Sequence, residues 1–425
     1  MKGRLSMYNY NLCSSRDILC VDQKSFFASV SCILKGLDPL KTKLAVVGNT
    51  KRKGSVVLAA TPELKKLGIK TGSRLYEIPS RNDIYIINPS MQAYIEYSTR
   101  ISEIALKYVA PEDYHQYSID EQFLDVTDSL HLFSDTPKAF ALRLKKEIYD
   151  VTKIHCAIGI GENLLLSKLA LDIEAKKLPD GIAEWRYQDV EEKLWHIKPL
   201  SKFWGINIKS EIKLNHRGIF NIGDLANYPW QYLKRDFGIV GVDWHLHANG
   251  IDESMIRDKH TTHRPSITKS QVLLRDYTFN ELYVILLEHI DEVTYRIREA
   301  GQLARTISFA VGTKDRMIYR KQFTIKEGTN HSRTIIKLIW NHLKIVADIH
   351  ALYRTVNISL TNFLPDSVMQ LSLFETDKNL KEEKLYKTID QIKKRFGGGS
   401  ILRATSLTDA STLKHRSNLI SGHKR

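Results

Sequence analysis

Short apolar runs alternate with helical patterns along the first 190 residues of the chain. Apolar runs of roughly four to eight residues between turn-forming residues are typical of buried strands, whereas apolar positions three or four apart indicate a helix. Strands are predicted at residues 17–22, 44–47, 56–60 and 156–160, with a strand pair around a turn at 114–126. Helices are predicted at residues 25–34, 62–67, 140–151 and 163–177. This alternation predicts an α+β domain.

The pattern changes after about residue 190. Two helical hairpins interrupted by glycines follow, at 203–225 and 237–252, and then a polar connector at 258–265. Residues 266–361 have the order strand, helix, strand, strand, helix, strand, which predicts a second α+β module. A chain of 425 residues is expected to form about two to four domains, because single cores stop growing well below this length.

The charge of the chain indicates a polyanionic partner. Its 63 Lys and Arg residues outnumber its 48 Asp and Glu residues, so the formal net charge is +15. Soluble proteins this basic usually bind nucleic acid, and the alternative is a positive surface that only faces water.

The cysteines and the apolar runs predict a soluble, cytoplasmic protein that does not enter a membrane. The four cysteines, Cys13, Cys20, Cys32 and Cys156, have no metal-binding spacing, so we expect reduced thiols rather than a zinc site or disulfides. No apolar run reaches the roughly 18 residues of a membrane span, and the first residues lack the apolar core of a signal peptide.

Three carboxylates are candidates for metal-assisted chemistry. Asp22 ends a predicted strand, and Asp120 and Glu121 lie in a predicted strand turn about 100 residues later. Carboxylates at the tips of adjacent strands can hold two Mg²⁺ ions about 3.5–4 Å apart, the arrangement used for phosphoryl transfer. Aspartates at turns and strand ends also serve as simple caps, and the carboxylates alone do not exclude that role.

The residues around these carboxylates resemble the catalytic motifs of a known enzyme family. Residues 21–30, VDQKSFFASV, resemble the opening motif of the Y-family translesion DNA polymerases, and residues 117–121, YSIDE, resemble their second catalytic motif. The resemblance continues in order along essentially the whole chain. It is strongest to the UmuC/ImpB/MucB/SamB branch, especially the UV-damage repair polymerases of Gram-positive bacteria and their phages.

The resemblance implies a multidomain α+β fold in the shape of a right-hand polymerase. The palm and fingers would occupy residues 1–190, with the small fingers at about 35–90. A helix-hairpin-helix thumb would follow at 191–257, and an α+β, DNA-binding little finger at 258–365. Residues 366–425 would form a C-terminal tail.

The same resemblance assigns roles around the first motif. Asp22, Asp120 and Glu121 would be the catalytic, metal-binding carboxylates, with the main-chain carbonyl of Gln23 as a further ligand of two Mg²⁺ ions. Phe27 would be the steric gate, because a ring beneath the incoming sugar leaves no room for the 2′-OH that distinguishes RNA from DNA.

Phe26 and two lysines are the implied nucleotide-binding residues. Neighbouring residues of a helix cannot share a face, so we expect one ring of Phe26 and Phe27 to be buried and the other to line the site. Lys65 and Lys176 would contact the triphosphate, and Lys177 is an alternative to Lys176. Many relatives have a tyrosine where this chain has Pro62, whose side chain cannot donate a hydrogen bond.

Further positions are implied DNA contacts. Glycine amides in the thumb hairpins can approach a phosphate without hindrance from a Cβ atom. The thumb candidates are Gly205, Gly218, Gly238 and Gly241. The little-finger candidates are Ser266, Thr268, Lys269, Arg305 and Arg320.

A short linear motif follows the second α+β module. The sequence Gln370-Leu371-Ser372-Leu373-Phe374 lies between Pro365 and a lysine-rich tail. It resembles the pentapeptide with which bacterial polymerases dock on the DNA polymerase III beta sliding clamp, and Gln370, Leu371, Leu373 and Phe374 would be its anchors. The alternative is an ordinary amphipathic strand end.

The sequence therefore predicts an error-prone, template-directed DNA polymerase that acts in the SOS response to DNA damage. Its partners would be primer-template DNA, dNTPs and the clamp, with a recombinase filament as a further candidate, and we expect a monomer. Two alternatives are a non-catalytic, clamp-associated DNA scaffold and a two-metal nuclease. A nuclease needs neither a sugar gate nor triphosphate lysines, and a scaffold has no use for the gate.

Overall fold

The structure is a computed structural model, and it describes residues 8–258, 265–368, 377–420 and 423–424. The chain divides into two compact units, Met1–Lys259 with His423–Arg425, and His260–Gly422. Within the described residues, no helix is both long enough and apolar enough to cross a membrane.

A five-stranded sheet forms the centre of the first unit, in the order β5-β6-β1-β7-β8. Strand β1 is antiparallel to β6 and β7, and β7 is parallel to β8. The apolar residues of β1 are completely buried because both faces of the sheet are covered. The strands are β1 (Ile18–Gln23), β5 (Tyr114–Gln116), β6 (Glu121–Asp125), β7 (Cys156–Gly161) and β8 (Ile182–Trp185).

The first unit also contains a small three-stranded sheet, in the order β3-β2-β4. Its strands are β2 (Lys43–Val47), β3 (Val57–Ala60) and β4 (Ile84–Ile87). The helices of this part of the chain are α1 (Phe26–Ile33), α2 (Pro62–Lys65), α3 (Met91–Ala105), α4 (Leu130–Phe133) and α5 (Pro137–Thr152).

The predicted helix at 163–177 is present but changes its winding twice. It begins as α6 (Leu164–Leu169), continues as a π-helical turn at Ala170–Glu174 and ends as a 3-10 turn at Ala175–Lys177. Two glycines of β7 allow it to lie against the sheet. A Cβ atom at Gly159 would be 2.1 Å from the carbonyl oxygen of Ser167, and one at Gly161 would be 2.3 Å from its nitrogen.

Four short helices form two hairpins at the end of the first unit. Asn207 and Asn221 cap the first pair, each accepting a hydrogen bond from a backbone amide of the first turn. Leu214, Leu225 and Leu233 are buried in the core that the helices share. The helices are α7 (Ile208–Asn215), α8 (Ile222–Asn227), α9 (Trp230–Phe237) and α10 (Ile239–Ala248).

The second unit is built on a four-stranded antiparallel sheet, in the order β11-β10-β12-β9. Helices α11 (Phe279–Glu299) and α12 (Ser332–Val346) pack on one face of it through buried aliphatic residues. The strands are β9 (Ser266–Tyr277), β10 (Gln302–Thr313), β11 (Ile318–Thr329) and β12 (Tyr353–Pro365). The predicted order of strands and helices is confirmed here.

Residues 377–420 and 423–424, which follow the linear motif, are folded, although the sequence predicted a tail. They form α13 (Asp377–Phe396), α14 (Leu413–Ser417) and the short strands β13 (Leu419–Ile420) and β14 (His423–Lys424). Ion pairs join this C-terminal segment, residues 377–420, to α11. Arg298 of α11 binds Asp390 through two hydrogen bonds, and Arg403 binds Asp291 of α11 through two more.

Candidate active site

Strand pairing brings the three candidate carboxylates together. Asp22 on β1 lies opposite Glu121 on β6, and the amide of Gln23 donates a 2.9 Å hydrogen bond to the carbonyl oxygen of Asp120. The hydroxyl of Ser118 donates to Asp120 at 2.7 Å. Residues about 100 positions apart in the sequence therefore form one acidic site at an end of the central sheet.

Asp22 carries its charge in a poorly solvated position. Burial raises the pKa of its carboxyl to about 6, although Lys176, whose ammonium lies 3.1 Å away, opposes the change. Asp120 and Glu121 add to the increase because they are nearby negative charges. A cation at this site would therefore stabilise the ionised carboxylate.

Glu121 is almost completely buried and is paired with Lys168. The ammonium of Lys168 lies 2.6 Å from Glu121 Oε1, and only 8% of the Lys168 side chain is exposed. The thiol of Cys20 donates to the same oxygen at 3.2 Å. Burial opposes the charge of Lys168, but its carboxylate partners outweigh burial, and the pKa of Lys168 is raised.

Asp172 links the Lys168–Glu121 ion pair to the Lys176–Asp22 ion pair. Its Oδ1 atom lies 2.8 Å from the ammonium of Lys176, and its Oδ2 atom lies 3.0 Å from the ammonium of Lys168. Burial opposes the charge of Asp172, but the two lysines outweigh it and lower the pKa of this carboxyl. Asp22, Lys176, Asp172, Lys168 and Glu121 thus form a continuous series of alternating charges, which we call the charge ladder.

The donor atoms of the site suit a hard cation such as Mg²⁺. Asp22, Asp120 and Glu121 supply carboxylate oxygens, which Mg²⁺ prefers. In the part of the chain that the structure describes, no three His, Cys, Asp or Glu side chains converge closely enough to hold an ion. Lys176 and Lys168 contact two of the three carboxylates instead, so the site fits a metal by the chemistry of its oxygen donors.

The two phenylalanines have different environments. Phe26 is only 2% exposed, so any contact it makes with a nucleotide would come from its backbone. Phe27 is half-buried, and its ring stacks on Tyr94 with the centroids 4.2 Å apart and the planes 10° from parallel. The Tyr94 hydroxyl is 2.8 Å from the hydroxyl of Ser31, which holds the second ring in place.

Lys65 reaches the site from α2. Its ammonium donates a 2.8 Å hydrogen bond to the hydroxyl of Ser25, and burial lowers its pKa. Ser25 has φ of 50° and ψ of 46°, the left-handed conformation, immediately before α1. Pro62 occupies the first turn of α2, where a proline is well tolerated because that amide needs no partner in the helix.

The structure distinguishes the two neighbouring lysines at the end of the π-helical segment. Both are exposed, but the ammonium of Lys176 lies 3.1 Å from Asp22 and 2.8 Å from Asp172, whereas among the described residues Lys177 forms no ion pair. Lys176 is therefore the better candidate for a contact with the triphosphate.

The thumb glycines fall into two groups. Gly205, Gly218 and Gly238 have positive φ angles of 91°, 77° and 69°, and a Cβ atom at any of them would meet open space. Gly241 is buried, and a Cβ atom there would be 2.3 Å from the carbonyl oxygen of Leu233. Close packing of α9 and α10 explains this glycine, so the prediction that it contacts DNA is not supported.

The predicted DNA contacts of the little finger lie on different faces of the four-stranded sheet. Ser266, Thr268 and Arg320 are exposed, and Thr268 is bonded to Ser359 at 2.8 Å across the face that the helices leave open. Lys269 points to the helical face, where its ammonium lies 2.6 Å from Glu292. It therefore lies on the face opposite to that of Thr268, because successive residues of a strand point to opposite faces, and its role as a DNA contact stays a prediction. Arg305 is half-buried.

Residues 370–374, the predicted clamp-binding motif, lie outside the described residues. The described chain ends before them with the 3-10 turn Asp366–Val368 and resumes with α13 at Asp377.

Sequence reasoning missed Tyr94, Lys168 and Asp172. A signal existed for the last two, because Lys168, Asp172 and Lys176 are spaced four residues apart, and such residues are neighbours on a helix. Tyr94 had no comparable signal, since it reaches Phe27 only through the packing of α3 on α1.

Comparisons with known proteins identify the family of this chain. A profile of the impB/mucB/samB family matches residues 21–172, and a profile of the C-terminal domain of that family matches residues 264–373. A Bacillus subtilis (strain 168) protein named for UV-damage repair, UvrX, is 44% identical over 98% of this chain and 100% of its own length. DNA polymerase IV of Pelotomaculum thermopropionicum is 34% identical over 94% of this chain and 97% of its own length.

The fold has a counterpart among solved structures. A chimera of the Y-family DNA polymerases Dbh and Dpo4 superposes with a TM-score of 0.65 at 21% identity, covering 82% of this chain and 99% of the chimera. At this identity the likeness concerns the fold.

Proposed function

Because this chain belongs to the impB/mucB/samB family, we propose that it is a Y-family DNA polymerase that performs error-prone translesion synthesis in the repair of UV-damaged DNA. The observation that carries the proposal is the pairing of Asp22 with Glu121 beside Asp120, with Phe27 and the lysines in the same unit. Relatives named DNA polymerase IV, matched over nearly their full length, support the same activity.

The acidic residues would hold two Mg²⁺ ions in this reaction. Asp22, Asp120 and Glu121 would supply carboxylate oxygens and Gln23 its main-chain carbonyl. When bound, the ions would offset the negative charge that develops on the phosphate oxygens. The 3′-OH oxygen of the primer would bond to the α-phosphorus of the dNTP as the bond from that phosphorus to the bridging oxygen breaks, so that pyrophosphate leaves and the hydroxyl proton passes to solvent. Lys65 and Lys176 would hold the triphosphate, so catalysis depends on positioning and electrostatics.

Phe27 would select the sugar. Its half-buried ring is supported from one side by the parallel ring of Tyr94. Stacking of this kind adds about 0.5–1.5 kcal/mol beyond burial to the cost of turning the ring aside. An incoming ribonucleotide would therefore place its 2′-OH against a ring that is biased to stay in place.

The thumb and the little finger would bind the primer-template duplex. Positive-φ glycines of the thumb hairpins, Gly205, Gly218 and Gly238, leave space for a phosphate beside the backbone. In the second unit, the open sheet face presents Ser266, Thr268 and Arg320, which suit contacts to phosphates and sugars. The net charge of +15 would supply the electrostatic part of the affinity.

The motif at residues 370–374 would dock on the beta sliding clamp. A clamp encircles DNA, so a docked polymerase rebinds its primer at a high effective concentration. We expect Ala at Gln370, Leu371, Leu373 and Phe374 to abolish clamp binding and clamp stimulation while leaving extension of a short primer unchanged. Unchanged clamp affinity would show that the motif is not the docking peptide. Cytoplasmic location, a monomeric state, SOS induction and a recombinase filament as partner belong to the same proposal.

Primer extension with Asp120→Asn tests the polymerase proposal. The substitution keeps the side-chain size and removes a charge, so we expect at least a 10²–10³-fold loss of extension, roughly the cost of losing one electrostatic element of an active site. DNA affinity should be retained. Asp150→Asn is the matched control, because Asp150 is an exposed helical aspartate paired with Lys146 at 2.5 Å.

The same assay separates the alternatives. Wild-type protein that binds DNA but never extends the primer would be a scaffold, and protein that shortens the primer would be a nuclease. Normal extension by Asp120→Asn would remove that residue from the mechanism.

A further inference from the structure

The charge ladder connects Asp22 to Glu121 through Asp172, the residue that both lysines contact. Lys176 lies between Asp22 at 3.1 Å and Asp172 at 2.8 Å, and Lys168 lies between Glu121 at 2.6 Å and Asp172 at 3.0 Å. Each lysine therefore has one partner among the candidate metal ligands and shares Asp172 as the other.

The winding of the helix brings the two lysines that share Asp172 closer to one face. In a regular α-helix each residue rotates by about 100°, so residues eight positions apart would lie roughly 80° from each other around the axis. Between Lys168 and Lys176 the chain passes through the π-helical turn Ala170–Glu174, which rotates less per residue. This turn keeps Lys168, Asp172 and Lys176 on one face, and π-helical turns are frequently found at functional sites.

We propose that Asp172 is a positioning residue of the polymerase, which holds Lys176 for the triphosphate and Lys168 beside Glu121. The proposal rests on the roles given above to Asp22, Glu121 and Lys176. Metal binding by Asp22 and Glu121 would take from each lysine one of its two partners. Asp172 is the partner that remains, and its two oxygens serve the two lysines separately.

Asp172→Asn tests the idea because it replaces one of the two oxygens that the lysines use with an NH₂ group, which cannot accept a hydrogen bond. The probe is dATP binding, opposite template dT, to the protein on a primer with a dideoxy 3′ end, with Ca²⁺ in place of Mg²⁺. We expect about tenfold weaker dATP binding, since a hydrogen bond to a charged group typically contributes that much or more. In steady-state extension, the KM for dATP should rise more than kcat falls, and the affinity for DNA should be unchanged.

The direction of the change distinguishes positioning from charge. Asp172→Asn makes the site more positive, so a role through charge alone predicts that the variant binds dATP as tightly as the wild type or more tightly. Equal or tighter binding of dATP by the variant would overturn the proposal. Asp150→Asn is the control, because it removes the aspartate of the Lys146–Asp150 ion pair on α5, whose members are also four residues apart. This variant should bind dATP like the wild type.

Two further variants keep the test decisive if Asp172→Asn is poorly folded. Asp172→Glu retains both oxygens and should recover at least part of the dATP affinity. A folded Asp172→Glu protein without any recovery would contradict the proposal. In a Lys176→Met background, Asp172→Asn should cost little more, because Asp172 acts through Lys176; full additivity would refute this. If the wild type itself shows no template-directed dATP binding, the proposed function fails instead.

Discussion

A buried histidine should make the second unit sensitive to mild acid. His289 lies on α11 and is completely buried, with its Nε2 atom 2.9 Å from Oε1 of Gln271. Burial lowers the pKa of this imidazole to about 3, and the neighbouring cations Arg416 and Lys269 contribute in the same direction. Both cations are themselves paired with Glu292, and Arg416 also with Glu288.

The sign and size of the effect follow from proton linkage. The unfolded chain binds a proton at His289 as the pH falls below about 6.5, whereas the folded chain remains neutral until about pH 3. The stability due to the neutral imidazole is therefore complete above pH 6.5 and is lost as the pH falls toward 3. Between pH 7 and pH 5 the loss is about 2 kcal/mol, and it is insensitive to the folded pKa because that value lies well below 5.

Hydrogen exchange of the full chain, followed by mass spectrometry, measures this loss locally. We expect the protection of α11, corrected for intrinsic rates, to fall roughly 25-fold between pH 7 and pH 5. His289→Gln should flatten the dependence, because its amide can still bond to Gln271 but does not titrate. Helix α5 of the first unit is the internal reference. An equal fall in wild type and variant, or none in the wild type, would refute the reasoning.

Other predictions concern the gate, the C-terminal segment and DNA binding. Phe27→Ala should raise the ratio of rNTP to dNTP incorporation, and a larger rise in Phe26→Ala would show that the gate is the other ring. Arg416→Met should destabilise the second unit by about 3–5 kcal/mol in chemical denaturation, because it leaves Glu288, whose side chain is 2% exposed, without its ionic partner. Arg333→Met, at a pair whose arginine is 61% exposed, should cost under about 1 kcal/mol, and equal costs would contradict this account. DNA affinity without the clamp should fall with salt with a log–log slope of about −4 to −5, for about five phosphate contacts, and a flat response would separate the net charge from DNA binding.

Local sequence patterns were sufficient for the elements that bury their own residues. The apolar run before Asp22 predicted a strand, and β1 is buried at every apolar position. The order of strands and helices in 266–361 was likewise readable, because alternation and helical periodicity act over a few neighbouring residues. The resemblance of two short motifs predicted Asp22 and Glu121 as residues of one site, and the two lie opposite each other on β1 and β6.

The fold of the C-terminal segment could not be predicted from local sequence patterns. Its polar, lysine-rich composition predicted a tail, yet its charges are matched by partners far away in the sequence. Glu288 is separated by more than 120 residues from Ser411, Thr412 and Arg416, and these three residues bind its carboxylate. Composition counts such charges, but it does not show which of them are neutralised by a partner.

Tertiary structure alone decided which side of an element each functional candidate faces. Lys269 and Thr268 are adjacent in sequence, and only the packing of α11 shows that the first is paired with Glu292 while the second is exposed. Phe27 likewise has its supporting ring in Tyr94, on another helix. The sequence by itself determined the chemical groups and their local geometry. Their partners, burial and effective charge depend on long-range contacts, because the free energy of a charge or a ring is set by the atoms that surround it in space.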